Sequence, residues 1–394
     1  MADRSALFSA GFLAINLQFA LVAAIAALFF AFSGYLQLLG VSPATAGFII
    51  SADGLAALIV QPLLSPVVHA GSARRWLFGG SLLLSAALFM LGQVTAVPLL
   101  VTARLLQGVG FVCVLASLVT LLVGFIPREM SGRAFGWVSL IRLIPYAVIP
   151  FLFDLLALAP SSFGKVLNVA ALVALIPVLV LLLPAAQRAG TPDDSRPPGL
   201  SGMAASLRSP SVLLLLLSAL LFFCGYAAIF FFLRQFGLTL GIANSSLFFT
   251  IATVVMIVVR LGGGWLFDRY NKTLLGAAGL FTAALCYGLL PLCDSSRVLF
   301  FILAGVSGLG WGIAMPLQAA AMFDISAPAV RAMNQNLLIV MMQGGFFLGP
   351  FVGGQLIARW GYTALFASLA VTTLVAGGMM MGIKAPKAAE GGAG

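Results

Sequence analysis

Five ionisable side chains stand inside long apolar stretches: Asp53, Arg104, Arg142, Asp154 and Arg260. A charge at the centre of a bilayer costs about 2.5–3.5 kcal/mol even on forgiving scales, so such residues are paired, wetted or functional. Arg142 is ten residues into the stretch 132–157, about 15 Å deep at helical rise. A guanidinium fork matches an anionic group. Three readings stay open for Arg142: an anion anchor facing a central cavity, an ion pair with the similarly deep Asp53, or snorkelling and solvent contact. Asp53 is the leading candidate for carrying a proton, because desolvation raises a carboxyl pKa and a neighbouring arginine lowers it. Asp154 is a further proton candidate, expected close to an outer surface and wetted. Arg234 is expected to snorkel from the outer end of its stretch. Gln107, Tyr226 and Gln343 are the preferred polar contacts for a substrate, with Asn16, Gln18, Thr250 and Gln318 as further polar groups on the path. The aromatic groups near Phe29–Tyr35 and Phe222–Phe232 read as packing.

Little of this is enzyme chemistry. One histidine, no clustered carboxylates, and neither an HExxH nor a GxSxG pattern leave no reaction to place. GxxxxGK[ST] is absent too, so nucleotide-driven transport would need a partner. Cys113, Cys224, Cys286 and Cys293 form no CxxC pair and read as small hydrophobes. No cofactor and no metal are expected.

The elements that hold these residues follow from composition. The chain has 394 residues, 62% hydrophobic and only 8% charged. Soluble domains carry about 25% charged residues, and so few charges could not cover this chain in water. The apolar runs are continuous, as from Val212 to Leu233, rather than alternating. A spanning helix needs about 20 such residues, and a lipid-immersed backbone must satisfy itself internally. The fold class is an all-α integral membrane protein with twelve transmembrane helices. The spans fall near 10–36, 43–68, 75–93, 97–125, 132–157, 163–184, 211–236, 243–267, 273–292, 296–322, 331–357 and 362–383. Residues 185–210 are polar and rich in Pro, Gly and Ser, as a linker should be. They divide residues 1–184 from 211–394, six spans from six. The first span is too long for a signal peptide.

Lys and Arg orient the chain. Thirteen lie on the side of the termini, among them Arg74, Arg75, Arg128, Arg208, Lys272 and Arg331. Lys165, Arg297 and Arg359 lie opposite. The positive-inside bias then puts both termini and the linker in the cytoplasm. The net charge of +10 is thereby a topology signal, and no nucleic-acid partner is expected. The halves also match at a nearly constant offset of 198–200 residues. Gly108 and Gly110 answer to Gly308 and Gly310, Pro150 to Pro350, and Arg133 to Arg331. Two parallel six-helix repeats put a substrate site near midplane between them, with rocking as the motion.

On these residues the chain resembles the major facilitator superfamily over essentially its whole length. Arg260-Leu-Gly-Gly-Gly264-Trp-Leu-Phe-Asp268-Arg269-Tyr-Asn-Lys272 is similar to that family's G-x-x-x-D-R-x-G-R/K loop, with Asn271 in place of a glycine. The first-half copy is degraded: Ser65 stands for Gly, His69 for Asp and Ala70 for Arg. The resemblance implies a cytoplasmic latch of Arg260, Gly264, Asp268, Arg269 and Lys272, with Arg260 paired to Asp268 or to a neighbouring helix. Arg104-Leu-Leu-Gln107-Gly108 resembles the family's R-x-x-Q-G motif, and implies that Arg104 anchors the fourth span to the first or acts in coupling. Gly345, Gly349 and Pro350 sit in a G-x-x-x-G-P-x-x-G-G run in the eleventh span. In drug–proton antiporters the resembling run is in the fifth span, so this placement argues against a multidrug exporter. Glycines every four residues allow close helix approach, and Pro350 a hinge.

The functional expectation is a secondary transporter of a small organic solute, working as a monomer in the cytoplasmic membrane by alternating access. Proton coupling and efflux of a metabolite or amphiphile are the leading form. Proton-coupled uptake of a small organic anion is the alternative. A membrane enzyme and a channel are the competing classes.

Overall fold

The protein is described by a computed structural model covering residues 9–64, 67–69, 71–123, 125, 131–180, 207–263, 270–327 and 330–383. The described residues are helical throughout, with no strand. Nine helices among them are long and apolar enough to cross a membrane. The first, Ala10–Leu38, is α1 (Ala10–Leu28) and α2 (Phe32–Leu38) joined by a 3₁₀ turn at Phe29–Ala31. There follow α3 (Pro43–Leu64), α4 (Ala73–Gln93), α5 (Val97–Val123), α6 (Ser131–Leu155), α7 (Phe163–Val173) and α8 (Ile176–Val180). After residues 181–206 come α9 (Pro210–Thr239), the shorter α10 (Leu247–Gly262), α11 (Lys272–Leu289), α12 (Arg297–Ile325) and α13 (Arg331–Met381). The expected linker, 185–210, lies outside the described residues as far as 206, and so do Gly264, Asp268 and Arg269 of the loop motif.

Proline and polar caps mark the ends. Pro43 and Pro210 begin their helices, where a missing N–H costs nothing. Asn271, which stands where the resembled motif has a glycine, is extended (φ −60°, ψ 114°), and its side chain caps α11 by accepting from the Thr273 and Leu274 amides. The expected eleventh and twelfth spans both lie in α13 and are separated at Gly361, whose backbone leaves the helical region; its φ of 77° suits a residue without a Cβ.

Glycine sets how closely helices approach, and it does so twice in the same pattern. Cβ atoms on Gly108 and Gly110 would meet the backbone of Asp53 on α3 and of Gly80 and Leu84 on α4. Cβ atoms on Gly308 and Gly310 would meet the backbone of Ala252 on α10 and of Gly279 and Ala283 on α11. Each partner is displaced along the chain by 199 residues and each glycine by 200. The core around these crossings is aromatic and aliphatic, with Phe12, Phe30, Phe32, Phe222, Phe248 and Tyr287 fully buried.

Candidate functional site

Helices from the two halves of the chain close tightly at one end of the assembly, the end where α2 finishes and α3 begins. We call it distal, and the end where α1 begins basal. A Cβ on Gly47 would overlap the Pro350 carbonyl oxygen, and one on Gly54 would lie 2.7 Å from the Phe347 amide nitrogen. The Ser33 hydroxyl donates to the Phe231 carbonyl at 2.5 Å, and the Thr250 hydroxyl to the Ala147 carbonyl at 2.8 Å. Small residues and self-satisfied hydroxyls are what lipid-embedded helices need for close packing.

Toward the basal end the same helices part around a cavity of about 420 Å³. Its walls come from α3, α5 and α6 on one side and α13 on the other. One face of α5 supplies Val112, Leu115, Ala116 and Val119, the three-and-four spacing of a helical stripe. Gln61, Thr120, Asn336 and Gln343 add polar groups, and Arg142 adds the charge. The Gln343 amide donates to the Gln61 carbonyl oxygen at 3.4 Å across the cavity.

The two deep arginines of the first half have opposite surroundings. Arg104 is fully buried. One terminal nitrogen, Nη2, pairs with Asp53 Oδ1 and donates to the Ile50 carbonyl at 2.8 Å, while Nη1 donates to Gln107 Oε1 at 2.7 Å. Its guanidinium also lies over the Phe29 and Phe32 rings, 4.5 and 5.3 Å from their centroids. Arg104 therefore ties α5 to α3 by charge and to the first span by ring contact. Of the readings open for Arg142, the ion pair with Asp53 gives way: Asp53 pairs through Oδ1 with Arg104 instead. Arg142 is exposed, with no hydrogen bond or ion pair among the described residues. Its guanidinium lies 5.7 Å from the Phe19 centroid and within electrostatic reach of Tyr146 and Arg260.

The other candidates fall as follows. Gln343 lines the cavity. Gln107 is buried beneath Arg104. Tyr226 packs edge-on against Trp311, centroids 4.9 Å apart, and is not among the cavity-lining residues. Arg260 donates to Met315 Sδ on α12 at 3.7 Å, a neighbouring-helix contact, and Lys272 pairs with Asp324 at the end of α12 at 2.7 Å. Gly345 and Gly349 press on Phe223 and Cys224 of α9, next to Pro350, which faces Gly47. His69 is exposed in a turn held by Ser72, whose hydroxyl accepts from the His69 amide at 3.0 Å and donates to the Val67 carbonyl at 2.7 Å.

At the distal end Arg234 does not snorkel. It is 8% exposed, donates from Nε to the Ser246 hydroxyl at 3.0 Å and lies over the Phe30 ring. The short loop before α10 folds back on it, which a linear hydropathy reading cannot register. Asp154, expected to be wetted, is half-buried beside this group, in electrostatic contact with Ser246 and Arg234. Gln61, Thr120 and Asn336 were not singled out from sequence. Their one signal was a polar residue continuing an apolar helical stripe.

Comparison with known proteins gives one outcome at each level. The family profile described as Major Facilitator Superfamily matches residues 7–332. An uncharacterized MFS-type transporter, YddS, of Bacillus subtilis (strain 168) is 25% identical over 143 residues. That stretch is 36% of this chain and 31% of YddS, so the match spans about a third of that relative. Among solved structures, the nucleoside transporter NupG superposes with a TM-score of 0.74 at 18% identity, covering 95% of this chain and 99% of that one. A peptide transporter, POT, in complex with sulfate gives 0.77 at 15% identity, covering 95% and 94%. A bacterial homologue of the human lysosomal transporter Spinster, inward-facing and unoccupied, gives 0.72 at 14%, covering 98% and 100%. At these identities the likenesses show the fold.

Proposed function

Because the chain belongs to the major facilitator superfamily, we propose that it is a secondary transporter that moves a small organic anion across a membrane by alternating access. Twelve spans are counted when α1 and α2 are taken as one span, α7 and α8 as another, and α13 is divided at Gly361. Residues 1–184 and 211–394 then form two six-helix halves, and the recurring glycine crossings at a spacing of 199–200 residues support that repeat. The Lys and Arg distribution supports a cytoplasmic basal end and cytoplasmic termini, so the chain is read with its cavity facing inward.

One observation carries the choice of substrate. Arg142 is a cation in a cavity between the halves with no protein counter-charge among the described residues, while Arg104 is paired with Asp53. A bound anion would meet this exposed guanidinium with charge-assisted hydrogen bonds. A neutral amphiphile would not. The POT structure with sulfate is consistent with a fold that accommodates anions. Asp53 is the proposed proton carrier: a proton on its carboxylate weakens the tie to Arg104 and loosens α3 from α5. Asp154, across from Arg234, is the proposed partner at the distal closure. Net direction follows the gradients of proton and solute.

Paired spin labels in lipid nanodiscs test the cycle without knowledge of the ligand. Labels on exposed Leu63 and Leu207 report the basal end, and labels on exposed Leu38 and Trp360 the distal end. The expected result is two populations whose basal and distal distances change in opposite senses as pH is varied. A single invariant distance at both ends would remove alternating access.

A further inference from the structure

The cavity wall that shares space with Arg142 is largely aliphatic. Val112, Leu115, Val119, Ile339 and Met342 present saturated side chains, and neither a carboxylate nor an aromatic ring lines the cavity among the described residues. Rings are plentiful, at 11% of the chain; Phe19 lies behind the Arg142 guanidinium, 5.7 Å to its centroid, and Phe29 and Phe32 hold Arg104 one layer away. The polar lining besides Arg142 is neutral, three amides and a hydroxyl. At about 420 Å³ the space is in the range of small-molecule sites, roughly 300–1,000 Å³.

We propose that the ligand is an amphiphilic monoanion: one anionic head on Arg142 and a saturated hydrocarbon body along the aliphatic stripe of α5 and the facing side chains of α13. This rests on the transporter reading above and narrows its substrate class. The head gains charge-assisted hydrogen bonds from the guanidinium fork. The body gains by leaving water, about fourfold in affinity for each methylene buried. A second charge of either sign on the body is rejected, because it would be stripped of water against hydrocarbon with no opposite charge for it among the described residues that line the aliphatic stripe. The cavity thereby separates monoanions from zwitterions and dianions of equal length.

Counterflow into proteoliposomes holding the full chain tests this. Alkyl sulfonates are the probes, since their heads stay ionised and do not cross lipid as neutral acids. Saturable exchange of hexane-1-sulfonate is expected, with half-saturation falling about fourfold per carbon from the propyl to the hexyl homologue. Competition by 6-aminohexane-1-sulfonate and by hexane-1,6-disulfonate is expected to be at least about tenfold weaker. Arg142→Gln should abolish exchange and Arg142→Lys retain a measurable part, both checked for monodispersity. Equal competition by the zwitterion or the disulfonate, a flat chain-length series, or full exchange by folded Arg142→Gln would each overturn the proposal. So would the absence of exchange for every sulfonate. The ligand-independent spin-label distances would then still decide whether the chain alternates, so the two failures are told apart.

Discussion

Arg104 and Arg142 lie on helices successive in the chain and share a residue type, yet one is spent on structure and the other is available. Arg104 meets a carboxylate, a carbonyl, an amide and two rings. Removing one member of a buried pair strands the other, at about 3 kcal/mol or more. Arg104→Ala is therefore expected to lower the thermal midpoint in nanodiscs sharply, and Asp53→Asn combined with Arg104→Gln to recover much of that loss. If the double variant is no more stable than Arg104→Ala, the pair is not what holds these helices. Asp53→Asn alone should retain solute counterflow but lose accumulation driven by a pH gradient, measured with one labelled solute in the same vesicles. Retained accumulation would take the proton role from Asp53. Lys272 with Asp324 is the contrasting case. Both side chains are partly exposed, at 29% and 44%, and such pairs contribute about 0–1 kcal/mol. Lys272→Ala should leave the thermal midpoint within a few degrees.

Helix contacts made by glycine fall into two kinds with different expected phenotypes. Gly349 lets α13 touch α9 within the second half, where an added Cβ would overlap the Cys224 carbonyl oxygen. Gly47 lets α3 touch α13 between halves, at Pro350. Gly349→Ala should destabilise the fold, read as a lowered thermal midpoint. Gly47→Val should leave the midpoint nearly intact and wedge the distal end apart, read as increased labelling of a cysteine at Ser33 by an impermeant thiol reagent and as lost transport. Unchanged labelling at Ser33 in Gly47→Val would show that this crossing does not gate. The distinction rests on whether the crossing must open during the cycle or must stay closed throughout it.

At the scale of the whole molecule, one end is sealed by backbone-close crossings and hydroxyl-to-carbonyl bonds, and the other parts around an aliphatic cavity with a single cation among its described lining. That asymmetry is what a carrier requires of each of its end states, since a solute path open at both ends would dissipate the gradient. The first half also carries the Asp53–Arg104 pair where the second, at the same offsets, has Ala252 and Ala304. If the halves are repeats, proton sensitivity is confined to one of them. Removing the pair by the double substitution Asp53→Ala and Arg104→Ala should then yield a facilitator: counterflow persists and pH-driven accumulation vanishes, measured side by side.

Much of this was legible in the chain itself. Long uncharged runs fixed an all-helical membrane protein, because lipid admits few other ways to satisfy a backbone, and Pro43, Pro210 and the 185–210 stretch marked ends and joint. Arg142 was recognisable as an intramembrane charge by depth alone. What depth could not decide was its partner. Asp53 suited either arginine in sequence, and only the packing of α3 on α5, allowed by Gly108, gave it to Arg104. Arg234 and Asp154 show the same limit, since a folded-back loop buried groups that hydropathy assigned to water. Helical periodicity says which face a residue occupies, but which helix covers that face is a property of the tertiary arrangement, and pairing and vacancy both depend on the cover.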